Sequence, residues 1–279
     1  MQGDNPVPVR RADGGQRLLT GPNLGFAALR LSPSLHRIGS DLVNVYLVED
    51  HTGITVIDAG LSGQWADLVS ELTGMGRTID DIRGLVLTHG DTDHIGFAER
   101  LRADHDVPVY VHELDAARAR GEVKKDIGWG KVKVGPLLRF VWYGARRGGL
   151  RTRPVSELVT FIDGETLDLP GAPRIIHIPG HTPGSVAIHV PAVDALFVGD
   201  ALTTGHVLTG AVGPRPAPFT LDPGQAIDSL DRLEMISAKW VLPGHGAPWS
   251  GGVDDAIAQV RELASSDVGG AATEGNQIA

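Results

Sequence analysis

Short apolar runs, most of which end in Asp, His or Gly, recur along the chain. Eight of them have the length and the Val/Ile-rich composition of buried strands, at 42–50, 54–60, 85–90, 107–112, 175–180, 185–190, 195–200 and 239–246. Apolar positions at helical spacing separate some of these runs, at 64–76, 96–106 and 222–235, and the segment 254–264 predicts a last amphipathic helix. Strands interleaved with surface helices in both halves predict an α/β protein whose paired sheets are covered by helices.

The two ends of the chain differ from this pattern. Residues 1–25 are polar and rich in turn formers, which predicts a flexible N-terminal segment, and residues 265–279 predict a disordered tail. The stretch between them, 26–264, is predicted to form one domain. The N-terminus has no apolar signal segment and no stretch approaches the length of a membrane span. We therefore expect a cytoplasmic protein without a membrane span.

The amino-acid composition limits which catalytic groups, metal ligands and partners the protein can have. The chain has 279 residues, of which 42% are apolar, enough to bury a large core. It has no cysteine, which excludes thiolate nucleophiles, iron–sulfur clusters and Cys-type zinc sites. Any metal ion must therefore be held by histidine nitrogen and carboxylate oxygen. The formal net charge of −9 argues against a nucleic-acid partner.

Residues 118–153 are basic within this acidic chain. They hold eleven Lys and Arg residues against Glu122 and Asp126, together with the aromatic residues Trp129, Phe140, Trp142 and Tyr143. One hypothesis is a lid-like insertion that engages an anionic substrate, with Tyr143 as a candidate substrate contact. The other is a solvated helical hairpin whose aromatic side chains pack on the core.

The densest group of candidate metal ligands is the segment 88–94, Thr-His-Gly-Asp-Thr-Asp-His, which follows the apolar run 84–87. A tight loop at the end of a buried strand can turn His89, Asp91, Asp93 and His94 toward one cation. Further ligand types occupy the ends of other strands: His181, Asp200 and His245. Because strand ends converge at one edge of a sheet, we expect all of these side chains to meet.

The order and the Gly/Pro-rich contexts of these residues resemble the metallo-β-lactamase-fold superfamily over approximately residues 35–250. The hallmark of that family is a His-x-His-x-Asp-His loop followed by a distant His, Asp and His. The resemblance implies a four-layer αββα sandwich of two mixed β-sheets with the metal site at one edge. It also implies two ion sites, a first of His89, Asp91 and His181 and a second of Asp93, His94, Asp200 and His245. Asp200 would bridge the two ions, and Asp58 would support the loop without being a ligand.

Asp91 departs from the family pattern, which has histidine at this position. Asp91 can still bind a cation through oxygen, but it makes a mononuclear centre the alternative to a dinuclear one. The resemblance implies two divalent ions, with Zn²⁺ favoured and Mn²⁺ or Fe²⁺ as alternatives.

The activity that the resemblance implies is metal-dependent hydrolysis. A metal-bound hydroxide would cleave a small ester, thioester, lactone or lactam, with Asp93 as the candidate catalytic residue that orients the hydroxide or moves a proton. The alternatives are a mononuclear iron oxidoreductase similar to the persulfide dioxygenases and, with less support, a phosphodiesterase. The expected partner is a small-molecule substrate, anionic if the basic segment engages it. His112, at a strand end, and His206, close after Asp200, are further candidate substrate contacts.

Overall fold

The computed structural model describes residues 28–123 and 132–274. Within these ranges the first half of the chain forms a mixed sheet whose strands lie side by side in chain order. Its strands are β1 (Leu29–Ser32), β2 (Leu35–Ser40), β3 (Val43–Asp50), β4 (Gly53–Ile57), β5 (Ile82–Val86), β6 (Val109–His112) and β7 (Val159–Phe161). The strands from β1 to β4 are antiparallel, and those from β4 to β7 are parallel.

Parallel strands need crossover connections, and helices supply them in this sheet. The helix α1 (Trp65–Gly74) connects β4 to β5, and α2 (Ala98–His105) connects β5 to β6. The longer connection from β6 to β7 contains α3 (Ala116–Ala119) and α4 (Val134–Arg146). The basic segment 118–153 lies in this connection, of which residues 124–131, including Trp129, are outside the described residues.

The second half forms a smaller mixed sheet. Its strands are β8 (Arg174–His177), β9 (Val186–Val190), β10 (Ala195–Gly199) and, after the hairpin of β11 (Thr203–Gly205) and β12 (Val212–Arg215), β13 (Trp240–Pro243). The spatial order is β13-β10-β9-β8, with only β10 and β13 running parallel. The helix α5 (Pro223–Ser229) precedes β13, and α6 (Val253–Glu274) follows it.

The buried apolar side chains form layers that define a sandwich. One cluster lies between the sheets and joins Tyr46 and Val86 of the first sheet to Ile188 and Phe197 of the second. A second cluster packs α1 and α2 on the outer face of the first sheet, and a third packs α6 on the outer face of the second. The prediction of an α/β fold with two mixed sheets flanked by helices is confirmed.

Every predicted strand and helix has a counterpart in the structure, but several short strands were missed. In β2 the buried side chains of His36 and Arg37 are polar, so the strand lacks the apolar run that marks the others. Both are paired, His36 with Glu71 and Arg37 with Asn44, which makes their burial tolerable.

The helix α6 continues to Glu274, where the sequence pattern ended it at residue 264 and placed a disordered tail from 265 on. The hydroxyls of Ser265 and Ser266 donate to the carbonyls of Arg261 and Leu263, which lets both serines remain in the helix. Residues 275–279 and the predicted flexible segment 1–25 lie outside the described residues. None of the helices described is long and apolar enough to cross a membrane.

Candidate metal centre

The side chains predicted as metal ligands meet where the carboxyl ends of strands from both sheets come together. They lie in the loop after β5, in the loop between β8 and β9, and directly after β10 and β13: His89, Asp91, Asp93, His94, His181, Asp200 and His245. All are buried except Asp93, whose side chain is 19% exposed. Their ligand atoms form three overlapping groups, each with its atoms within 4.8 Å of one another.

The first group contains His89, Asp91 and His181. The Oδ2 atom of Asp91 lies 3.9 Å from Nε2 of His89 and 3.5 Å from Nε2 of His181. These separations exceed hydrogen-bond length but are short enough for one cation to contact all three atoms. Asp91 therefore occupies the position from which a histidine would complete the set.

The second group contains Asp93, His94 and His245. Nε2 of His245 lies 3.4 Å from Oδ2 of Asp93 and 3.1 Å from Oδ2 of Asp200. The other oxygen of Asp200 lies 3.6 Å from Nε2 of His94, while its Oδ2 lies 3.8 Å from Nε2 of His181. Asp200 thus stands between the two groups, with an oxygen near members of each.

Each of the four imidazoles has a partner at Nδ1, which leaves Nε2 directed at the cluster. The pairs are His94 with the Asp58 carboxylate, His89 with the Thr88 hydroxyl, His181 with the Thr220 hydroxyl and His245 with the Leu42 carbonyl. A partner at one ring nitrogen fixes the tautomer and the ring orientation, and so aims the other nitrogen's lone pair.

Asp58 connects β4 to the loop that follows β5. Its carboxylate accepts hydrogen bonds from the backbone N–H of Thr88 at 2.8 Å and from the Thr88 hydroxyl, and it lies 2.9 Å from Nδ1 of His94. The φ angle of Asp58 is +60°, a left-handed conformation that aspartate tolerates better than most residues. Asp58 holds two points of the loop without reaching the cluster, as expected of a supporting residue.

The cluster leaves buried polar atoms unsatisfied. Nε2 of His89, His94 and His181 and Oδ1 of Asp200 are buried without a hydrogen-bond partner among the described residues. Because an orphaned buried polar atom costs about 1–3 kcal/mol, several of them aimed at one point need a compensating ligand. Nitrogen and carboxylate oxygen are donors suited to Zn²⁺, Fe²⁺ or Mn²⁺, so these residues fit a divalent metal centre.

The electrostatics favour a cation as well. Burial, together with the neighbouring His94 and His181, holds the pKa of His89 well below its usual range, so its ring is neutral. Burial alone would raise the pKa of Asp200, but the neighbouring His245 and His94 have the larger effect, and the pKa lies well below its usual range. Burial lowers the pKa of His94, but Asp58 and Asp200 outweigh it and raise that pKa to about 10. A cation bound by His94 would have to displace a proton from this ring.

Asp91 shares its carboxylate with a buried arginine that the sequence pattern did not place in the site. Nη1 of Arg118 donates to Oδ1 of Asp91 at 2.7 Å, with side-chain exposures of 8% and 3%. Arg118 is the first residue of the predicted basic insertion, yet it points inward from α3 and is not part of an exposed lid. Oδ2 of Asp91 remains directed at the histidines.

Asp115 is a second residue that sequence reasoning missed. Its buried carboxylate accepts hydrogen bonds from the backbone N–H groups of Gly90 and Gly184 at 2.7 and 2.8 Å, and from the Thr182 hydroxyl at 2.8 Å. It thereby connects the loop after β5 to the loop that carries His181. Asp115 follows β6 by three residues, so its place near a strand end was the available signal.

A cavity of about 360 Å³ opens beside Asp93. Of the described residues that line it, only Thr92 and Asp93 have polar side chains; the large apolar ones are Leu61, Phe140, Val141, Leu150 and Phe219. The ring of Phe140 stands perpendicular to that of His245, with centroids 6.3 Å apart. The cavity therefore adjoins the second group of candidate ligands.

The three candidate substrate contacts lie outside the lining of this cavity. Tyr143, on α4, is buried in the cluster that contains Leu42 and Val207. His112 stacks on His177, at 4.3 Å between ring centroids, and its Nδ1 accepts the Leu114 N–H. His206 is half-buried, and burial together with the Arg215 charge lowers its pKa.

Sequence comparison identifies relatives over most of the chain. A family model described as the metallo-β-lactamase superfamily matches residues 38–245. A probable metallo-hydrolase, YflN of Bacillus subtilis (strain 168), is 29% identical over 247 residues, which cover 81% of this chain and 88% of the relative.

Solved structures show the same fold. A metallo-β-lactamase family protein, TTHA1429 from Thermus thermophilus, superposes with a TM-score of 0.63 at 23% identity, over 85% of this chain and 81% of the other. TTHA1623, solved in a di-iron-bound form, gives a TM-score of 0.50 at 27% identity, over 81% and 94%. Because the family model spans most of the chain and includes every residue of the candidate metal centre, the chain belongs to the metallo-β-lactamase superfamily.

Proposed function

We propose that this chain is a dinuclear metallo-hydrolase that cleaves the acyl bond of a small ester, thioester, lactone or lactam. The observation that carries the proposal is the convergence of buried, unsatisfied histidine nitrogens and an Asp200 oxygen on one point beside an open cavity. The kinship with a probable metallo-hydrolase supports the reaction class. The proposed ligands are His89, Asp91 and His181 for one ion and Asp93, His94 and His245 for the other, with Asp200 shared.

Two divalent cations held by these residues would make a water molecule acidic enough to supply hydroxide near neutral pH and would polarise the scissile carbonyl. Asp93 has the position to orient that water, because it is the most exposed of the ligand carboxylates and lines the cavity. In the net reaction, water gives hydroxide to the acyl carbon and a proton to the leaving heteroatom as their bond breaks. Asp93 can hold that proton between its departure from the water and its arrival at the leaving group.

The test is metal analysis followed by turnover. Protein purified from a zinc-supplemented culture is expected to hold about two equivalents of metal per chain, and to hydrolyse at least one of p-nitrophenyl butyrate, a glutathione thioester, γ-butyrolactone and a penicillin. Asp93→Asn is expected to lower kcat by about 10²–10⁴-fold while the circular dichroism spectrum stays that of the parent. Metal-replete protein that hydrolyses none of the four classes contradicts the proposal.

A mononuclear iron oxidoreductase is the second candidate, favoured by the bond between Asp91 and Arg118, which occupies one ligand oxygen of the first group. The same experiment separates the two. One equivalent of iron, with oxygen consumption on addition of glutathione persulfide, supports the oxidoreductase. The di-iron form of TTHA1623 shows that iron alone does not decide, so the number of ions per chain is the discriminating quantity.

A further inference from the structure

The cavity beside Asp93 has an almost wholly apolar wall. Leu61, from the loop after β4, faces side chains of α4 and the ring of Phe219 across a space of about 360 Å³. Cavities of this size hold small organic molecules, and apolar linings select apolar groups. We propose that it binds the uncharged alkyl chain of a medium-length acyl substrate. The proposal rests on the acyl hydrolysis proposed above and specifies the substrate class.

The cavity is continuous with the candidate metal centre at two points. Asp93 lies in its wall, and Phe140 contacts the His245 ring edge to face. A substrate carbonyl near Asp93 would therefore have its alkyl chain directed along Phe140 and the other α4 side chains that line the cavity. Alkyl chain and scissile bond are thus placed by the same group of side chains.

Phe219 links the cavity wall to His181. Its φ angle is +62°, which a bulky residue adopts only when its surroundings impose it. The next residue, Thr220, pairs its hydroxyl with Nδ1 of His181 at 3.2 Å, and Leu221 N–H donates to the His181 carbonyl. The strained backbone places the Phe219 ring in the cavity while the adjacent residues hold a candidate ligand.

The charges around the cavity oppose an anionic substrate. None of the described Lys or Arg residues of the basic segment lines it, and Asp93 is the one ionisable side chain that the described part of the chain contributes to its wall. Arg118 and Arg147, both within the basic segment, form ion pairs with Asp91 and Asp67. An anionic substrate tail would meet no cation among the described residues of this wall, whereas an alkyl chain would meet side chains that match it.

Binding can be measured without metal or turnover by titrating the protein with ethanol, butanol, hexanol and octanol in a calorimeter. The affinity is expected to rise about fourfold per methylene, which corresponds to ~0.8 kcal/mol for each buried CH₂. Gly144 offers the blocking variant, since it lines the cavity on α4 and a Cβ built there meets no atom within 4 Å. Gly144→Leu is expected to weaken octanol binding at least tenfold.

The matched control is Gly74→Leu, because Gly74 also lies in a helix with open space around its Cβ but is not among the residues that line the cavity. Gly74→Leu is expected to bind octanol as the parent does, and both variants to keep the parent's circular dichroism spectrum. Ala145→Leu fills the cavity from the neighbouring position and repeats the test if Gly144→Leu does not fold. Octanol affinity equal to that of ethanol, or equal weakening in the control, overturns the proposal.

Turnover measurements then distinguish the alkyl-chain site from the acyl hydrolysis proposed above. Among p-nitrophenyl acetate, butyrate, hexanoate and octanoate, kcat/KM is expected to rise with chain length, and the octanoate-to-acetate ratio to fall at least tenfold in Gly144→Leu. Hydrolysis that is flat with chain length refutes the alkyl-chain site and leaves the hydrolase standing. Octanol binding that responds to Gly144→Leu, without hydrolysis of any acyl class, supports the site and refutes the reaction.

Discussion

Asp91 is best understood together with Arg118. A neutral histidine at position 91 would bring no charge to the first group of ligands, whereas a lone aspartate would add a negative one. The buried bond from Arg118 makes the pair neutral, so the pair matches the charge of the histidine that the family pattern has there. The departure from the pattern at position 91 is therefore compensated by a second residue, 27 positions further along the chain.

This compensation predicts that the single substitution Asp91→His lowers both the stability and the metal content of the protein. Asp91→His leaves the Arg118 guanidinium buried without its partner and close to a cation site. Breaking a buried ion pair costs about 3–5 kcal/mol, so the urea-unfolding free energy is expected to fall by that amount and the metal content to drop. The double variant Asp91→His with Arg118→Leu is expected to recover most of both. Metal content and stability that are equal in the single and the double variant would show that the pair is not coupled.

Asp115 predicts a different effect, because it contacts the loops and not the candidate ligands. Asp115→Asn replaces one carboxylate oxygen with an NH₂ group that faces N–H donors. The loss of a charge-assisted hydrogen bond and the unsatisfied donor together are expected to cost about 3 kcal/mol of unfolding free energy. Metal affinity is expected to fall with it, as measured by competition with a zinc-sensitive dye. Asp168→Asn, at an exposed position outside these loops, is the control and is expected to leave both unchanged.

At the scale of single elements, α2 is attached to the segment before β7 through Glu99. Its carboxylate accepts hydrogen bonds from the Arg102 guanidinium and from the backbone and hydroxyl of Ser156. The Arg102 bond is the largest cause, and together these contacts lower the pKa of Glu99 to about 2. A carboxyl whose pKa is lower in the folded than in the unfolded chain stabilises the fold above its unfolded pKa, near 4.5.

Because folding lowers the pKa of Glu99, the stability that this carboxylate contributes is lost in acid. Glu99→Gln is expected to lower the melting temperature at pH 7, and the difference from the parent is expected to shrink as the pH falls from about 4.5 toward 2, where Glu99 becomes protonated. The control is Glu157→Gln, whose side chain is 84% exposed and lies 3.5 Å from Arg102. A difference between Glu99→Gln and the parent that is constant from pH 7 to pH 3 would refute the assignment.

The elements that the sequence predicted and those it missed differ in a physical way. Strands such as β10 are buried on both faces and appear as continuous apolar runs. The strand β2 satisfies buried polar side chains through partners far along the chain, such as Glu71 for His36, and no local pattern contains that information. At the candidate metal centre, likewise, the loop 88–94 is recognisable in the sequence as a motif. Arg118 is far from Asp91 along the chain, and only the fold brings the two side chains together.

Across the whole molecule, the candidate ligands are divided between the two sheets. The first sheet supplies His89, Asp91, Asp93 and His94 through the loop after β5, and the second supplies His181, Asp200 and His245 through three separate loops. Cations held by both sets would connect the halves of the sandwich at the edge where the inter-sheet apolar core ends. Metal binding by these residues would therefore be coupled to the stability of the entire fold and not to one loop alone.

That coupling predicts what chelation does. A ligand at about 100 times its Kd stabilises a protein by about 2.7 kcal/mol, so removing zinc with a chelator is expected to lower the melting temperature by roughly 5–10 °C, and re-adding zinc to restore it. Hydrogen exchange is expected to accelerate at 88–95, 180–185 and 243–246, while the amides of β3 stay protected. Asp200→Asn removes the carboxylate that lies near both groups of candidate ligands, and it is expected to reduce the change in melting temperature that chelation causes. A melting temperature that chelation leaves unchanged in the parent would mean that no cation connects the sheets, because a bridging ion that binds only the folded chain must contribute to its stability.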